Sequence, residues 1–182
     1  MKRADNCVSC KVNHINSEDD YLVFRFAKSK GRQDGEEHVV PWHVYDNPKM
    51  PHLCPVFSIA RYLFTYPQIM VNNASLFMGS SQYDRYSNFF AKLLLKHEDA
   101  VIGMGVNICD LGTHYCRKGV ATMVAAGCTV SPPIVSICVR AGWVMGGVKD
   151  KYLKIDSAGN QHVGRCASCL PILSMDFAVS PP

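Results

Sequence analysis

The residues best suited to chemistry stand in the second half of the chain: Thr113-His114-Tyr115-Cys116-Arg117-Lys118-Gly119, Arg140-Ala141-Gly142-Trp143 and Asp150-Lys151-Tyr152-Leu153. Gly112 and Thr113 supply a turn and an N-cap, and an apolar-rich run to Ala126 leads to Gly127, so a helix is expected over 114–126. His114 and Arg117 then share one face of that helix. A helix N-terminus attracts an anion, a guanidinium fork grips two phosphate oxygens, and a neutral imidazole accepts a proton. Phosphate chemistry uses all three. A helix with one His and one Arg is more often a solvated face, however, so the pair gains meaning only from its downstream neighbours: a small-residue turn ending in Trp143, and Tyr152 nine positions on.

The rest of the chain must position these groups. Residues 21–27 and 39–45 alternate apolar and polar side chains around a polar stretch at 31–37, which predicts a β-hairpin with Lys28 and Lys30 at its end. Pro48, Pro51 and Pro55 precede a helix from Pro55 to about Tyr66, with Val56, Ile59, Ala60 and Leu63 as its core stripe. A loop from Pro67 to Ser80 holds one apolar piece, Leu76-Phe77-Met78. Ser81-x-x-Asp84 reads as a capping box opening a helix to about His97, with Phe89, Leu93 and Leu94 inward and Arg85, Lys92 and Lys96 outward. Ser131-Pro132-Pro133 starts a short buried helix from Ile134 to Arg140, Gly142 ends it, and Trp143 is presented on the turn. Gly146-Gly147 gives a second turn before a short helix over 148–155 that carries Tyr152. The fold class expected is α+β, mainly helical, with a small antiparallel sheet. Residues 1–155 read as one domain and 156–182 as a C-terminal tail without assignable chemistry.

A chain of 182 residues with 48% hydrophobic content has enough apolar surface for a packed core. Its net charge of +4 permits nucleic-acid binding without by itself indicating it. Met1-Lys2-Arg3 does not open a signal peptide and no apolar run is long enough to span a bilayer, so an intracellular, reduced protein is expected. The nine cysteines are then expected to serve mostly as small buried hydrophobes. Cys7-x-x-Cys10 and Cys166-x-x-Cys169 have the spacing of zinc-ligand pairs, but lie far apart and outside short knuckles, so a zinc-stabilised interaction domain is the weakest of the readings kept. Gly103-x-Gly105 lacks the third glycine of a nucleotide loop. Neither cofactor nor metal is expected.

The order His-x-x-Arg, Gly-Trp and then Tyr resembles the C-terminal signature of the tyrosine recombinase (phage-type integrase) family. The wording Gly112-Thr113-His114-x-x-Arg117-Lys118-Gly119-x-Ala121-Thr122 and Arg140-Ala141-Gly142-Trp143-x-Met145-Gly146-Gly147-Val148-Lys149-Asp150-Lys151-Tyr152 is similar to the recombinases of Crypton-type eukaryotic transposons. The resemblance extends over most of the chain and is specific in its second half. It implies an integrase-like catalytic domain that cuts and rejoins DNA, with Tyr152 as nucleophile, Arg3 and Arg117 as phosphate clamps, His114 as proton acceptor and Trp143 as an indole donor. Lys30, or Lys28, takes the place of the hairpin lysine that protonates the leaving oxygen. Asp5-Asn6 departs from the family's usual Ser-Glu after the first arginine. Double-stranded DNA as partner, a homotetramer on DNA and a nuclear location are further implications. Met1 stands two residues before Arg3, so a chain truncated of its first helices and its DNA-clamping domain is expected. A domesticated, catalytically inactive DNA-binding copy remains the alternative.

Overall fold

The computed structural model describes residues 7–18, 20–25, 41–71, 74–126, 131–143 and 157–171. A three-stranded antiparallel sheet is built from β1 (Ile15–Glu18), β2 (Tyr21–Phe24) and β3 (Trp42–Tyr45), in that spatial order. The expected hairpin is β2 and β3, with Tyr21 opposite Tyr45 and Phe24 opposite Trp42. Its tip, with Lys28 and Lys30, lies outside the described residues. Strand β1 is not legible in the sequence because Ile15-Asn16-Ser17-Glu18 has one apolar side chain and no alternation; pairing of Ile15 with Phe24 and Glu18 with Tyr21 makes it a strand.

Because strand side chains alternate, the sheet has two unlike faces. Leu22, Phe24, Trp42 and Val44 join Cys10 and Leu76 in one apolar cluster, closed by Ile59 and Leu63 of α1 (Pro55–Thr65). Helix α1 therefore packs through Ile59 and Leu63 of its expected stripe, Val56 and Ala60 being only half-buried as well, and Leu76, in the predicted loop, is a core residue. Cys54 caps α1, its Sγ accepting from Phe57 N at 3.3 Å, and Pro55 occupies the first turn. Val23, His43 and Tyr45 point to the other face and receive α6 (Ser157–Ala167).

Helix α6 falls in the segment that the sequence set apart as a tail, yet its Val163 is fully buried and its Cys166 nearly so. With Ala121 and Val124 of α4 (Thr113–Ala126) and Ile137 of α5 (Ile134–Ala141), these two residues form a second apolar cluster. So α6 has β3 on one side and α4 and α5 on the other. The sequence concealed this, since Ser157-Ala158-Gly159-Asn160-Gln161-His162-Val163-Gly164-Arg165 is poor in helix formers and in apolar residues. Gly164 is required where α6 crosses the sheet: a Cβ there would stand 2.9 Å from the His43 carbonyl oxygen and 3.1 Å from the Tyr45 ring.

The same crossing holds a buried cation. Arg140, 3% exposed, donates from Nη1 to Asn160 Oδ1 at 3.0 Å and from Nη2 to the His43 carbonyl, and its guanidinium lies 4.7 Å from the Trp42 ring centroid. Asn160 completes the set by donating Nδ2 to the Pro41 carbonyl at 3.0 Å. Burial pulls the Arg140 pKa down to about 10, which still leaves a cation at neutral pH. At the far end of α6, Asn47 is wholly buried and donates to the Ser168 and Cys169 carbonyls at 2.9 and 3.3 Å. Cys169 there takes a left-handed φ of 59°, with Leu170 N bonded to Arg165 O and Cys169 N to Cys166 O, the Schellman ending in which glycine is usual.

Other expectations need correction. Ser81 does not cap α2 (Gln82–Lys96): its φ is 53° and its side chain makes no capping bond, because the turn is closed by Gln82 and Arg85 donating to the Met78 carbonyl. Phe89 and Leu93 are not buried but 63% and 40% exposed, since among the described residues α2 packs chiefly against α3 (Glu98–Gly103), a helix the sequence did not announce. Among the described residues the cysteines are not mostly buried either: Cys7, Cys109, Cys116 and Cys169 are exposed. No described helix is long and apolar enough to cross a membrane.

Gly164→Ala is expected to destabilise the domain by about 1–3 kcal/mol, the cost of overpacking against backbone, read as a lower urea midpoint. Stability is also expected to fall on acidification. Burial, and then the Arg140 cation, lower the pKa of His43 below its ordinary 6.5, and burial lowers that of His162. A depressed histidine favours the native state while neutral, so this contribution is complete above the unfolded pKa and is lost as pH drops through 6.5 toward the folded value. Urea midpoints at about pH 7.5 and about 5.5 should differ in that direction, and His43→Phe should shrink the difference.

Candidate phosphate site at the ends of two helices

Helix α4 starts at Thr113, one residue before the expected start. His114 is exposed in its first turn and Arg117 is half-buried one turn later on the same face. Arg117 reaches across to α5, where Nη2 donates to the Ala141 carbonyl and the guanidinium stands 5.5 Å from the Trp143 ring centroid. Two residues far apart in sequence, each singled out by its motif, are thus in contact.

The ending of α5 explains the arrangement. Gly142 adopts φ 63°, Gly142 N bonds to Val139 O at 3.0 Å and Trp143 N to Cys138 O at 2.9 Å, a Schellman motif. This turn leaves the Ala141 carbonyl for Arg117 and fixes the backbone of Trp143, whose side chain is 42% exposed. A guanidinium held by a carbonyl bond and an aromatic face is oriented before any ligand arrives. Arg140, in the second motif, points instead into the sheet contact and belongs to the core. The two motifs thus hold arginines with opposite settings, one at the surface site and one structural.

A second helix braces the first turn of α4. Tyr83 Oη lies 3.4 Å from Thr113 Oγ1, and Tyr86 Oη 3.6 Å from Cys116 Sγ, so two tyrosines three apart on α2 meet two residues three apart on α4. Burial and the Cys116 contact push the Tyr86 hydroxyl up to about 12, which keeps it neutral. Sequence reasoning missed both tyrosines. Their spacing carried a signal, but only the packing shows which face of α2 they occupy. Arg85, Lys92 and Lys96 are exposed on the same helix, as expected. Lys118 Nζ lies 5.3 Å from the Tyr115 ring centroid, a contact within α4.

Of the six residues expected to form the site, Arg117 and Trp143 are brought into contact and His114 stands one turn from Arg117; Arg3, Lys30 and Tyr152 lie outside the described residues. An oriented guanidinium, an exposed imidazole and an indole N–H suit an oxyanion such as a phosphodiester. Among the described residues no three of His, Cys, Asp and Glu gather as a metal site. A scan against protein-family models, a search of curated proteins and a search of solved structures each found no match to this chain.

Gly142→Ala is expected to cost about 1–2 kcal/mol, because a Cβ disfavours the left-handed conformation. It should also loosen Trp143. Since Trp42 is buried, acrylamide quenching reports mainly Trp143 and should increase in the variant, together with a lower urea midpoint.

Proposed function

We propose that this chain is the catalytic domain of a tyrosine recombinase of the kind encoded by Crypton-type transposons, an enzyme that breaks and rejoins DNA strands. The observation that carries the reading is the contact of Arg117 with the Ala141 carbonyl and the Trp143 ring, which joins the His-x-x-Arg and Gly-Trp motifs at one place. In this reading Tyr152 Oη attacks phosphorus, forming a 3′-phosphotyrosyl bond as the 5′-oxygen leaves, so that the bond energy is kept for religation. His114 takes the tyrosine proton, and Lys30 protonates the departing oxygen. Arg3 and Arg117 hold the non-bridging oxygens and offset the charge that grows on them. Trp143 donates its indole N–H to a phosphate oxygen. Two guanidinium groups supply the charge stabilisation, so the scheme needs no cofactor. The exposed Arg85, Lys92 and Lys96 give α2 a basic surface for the DNA backbone. Assembly of four copies on DNA and a nuclear location accompany this reading.

The test is covalent trapping on nicked duplexes, with denaturant-resistant adducts resolved by gel. An adduct is expected with the natural chain, none with Tyr152→Phe, and at least about a hundredfold slower formation with Arg117→Ala, the usual scale for loss of one transition-state donor. Salt-sensitive DNA binding without any adduct would instead favour an inactive DNA-binding copy. The absence of both would sink the assignment.

A further inference from the structure

The exposed and buried cysteines of the first Cys-x-x-Cys motif play no part in the proposed strand transfer. Cys10 N donates to the Cys7 carbonyl at 3.1 Å, so the two residues close a four-residue turn. Such a turn keeps its end Cα atoms within about 7 Å, close to the roughly 4.4–6.8 Å window of a disulfide. Cys7 is exposed, whereas Cys10 is 2% exposed and belongs to the apolar cluster beneath the sheet. Cys10 is also firmly placed, since its carbonyl accepts from Leu76 N at 2.9 Å and Val12 N bonds to the Ala74 carbonyl.

We propose that Cys7 and Cys10 form a reversible intrachain disulfide, with Cys7 as the attacking thiol and Cys10 as the resolving one. Cys7, as thiolate, attacks one sulfur of a small-molecule disulfide such as oxidised glutathione, forming a mixed disulfide and releasing one glutathione thiolate. Cys10 then gives up its proton and attacks Cys7 Sγ, forming the Cys7–Cys10 bond and expelling the second glutathione thiolate. The protein loses two protons and two electrons, and the glutathione disulfide gains both. The division of labour follows from the setting: exposure admits the oxidant to Cys7 alone, and burial holds Cys10 unreactive until a sulfur three residues away presents itself. Burial, and then the neighbouring Cys7, raise the Cys10 pKa to about 11, and capping Cys7 removes the second of these causes. The product ties the turn at Cys7 covalently to a residue anchored in the core.

The test uses the full chain in glutathione buffers of graded ratio, quenched with N-ethylmaleimide and mapped by peptide mass. Quenched under denaturing conditions, the peptide holding both residues should change from carrying a maleimide group on each cysteine to carrying none as the buffer turns oxidising, its mass then about 2 Da below that of the unalkylated dithiol, and should take up both groups again on reduction. In the reduced native protein, Cys7 should be alkylated at least about a hundredfold faster than Cys10. Cys10→Ala should stop at a glutathione adduct on Cys7, and Cys7→Ser, which leaves the core intact, should keep Cys10 unmodified. Cys166 and Cys169, at the same spacing, provide the internal comparison. The proposal falls if the natural chain accumulates only the mixed disulfide, or if Cys7→Ser still forms a disulfide through Cys10.

Discussion

The architecture rests on taking one guanidinium out of water at the place where a helix crosses a sheet. A lone buried cation is costly, and Arg140 is tolerated because Asn160 Oδ1, the His43 carbonyl and the Trp42 ring surround it. These partners come from β3 and α6, so meeting Arg140's demand fixes α5 to both of them. Asn160 then turns its amide N–H to the Pro41 carbonyl, so the start of β3 is included in the same network. The close approach that makes these bonds short enough needs Gly164, whose missing side chain lets α6 settle on His43 and Tyr45.

This constraint reaches the surface site through α5. With Arg140 held in the core at its last turn, Ala141, Gly142 and Trp143 emerge in a fixed direction, and the left-handed Gly142 completes the exit. Arg117 arrives from α4, which packs on α5 and α6 through Ala121, Val124, Ile137 and Val163. The contact between Arg117 and Trp143 is thus a consequence of packing deeper in the domain, and the tyrosine pair on α2 braces the other side of the same helix start. A preorganised cation at this place is the feature on which the proposed strand-transfer chemistry depends.

Much was legible along the chain where local chemistry dominates. The hairpin partners β2 and β3, α1, α4 and α5, and the ending at Gly142 all follow from alternation, proline and glycine punctuation, and helical spacing. Phe89 and Leu93 illustrate the limit: their spacing gives α2 an apolar face but cannot say that little of the described chain covers it. Cys10 and Leu76 show the converse, short apolar residues in irregular backbone that become core only because strands and α1 converge on them.

A mainly helical α+β class and two motifs that suggest phosphate chemistry could be read from residue order alone, because helix starts, turns and residue spacing are local properties. The roles of the arginines could not. Arg117 and Arg140 lie in similarly suggestive wording, yet packing presents one beside Trp143 and consumes the other in holding α5, α6 and β3 together. The same holds for α6, whose Gly159, Asn160 and Gly164 weaken it as an isolated helix and suit it to a crowded crossing. Long-range burial and hydrogen bonding, absent from any local window, make that distinction.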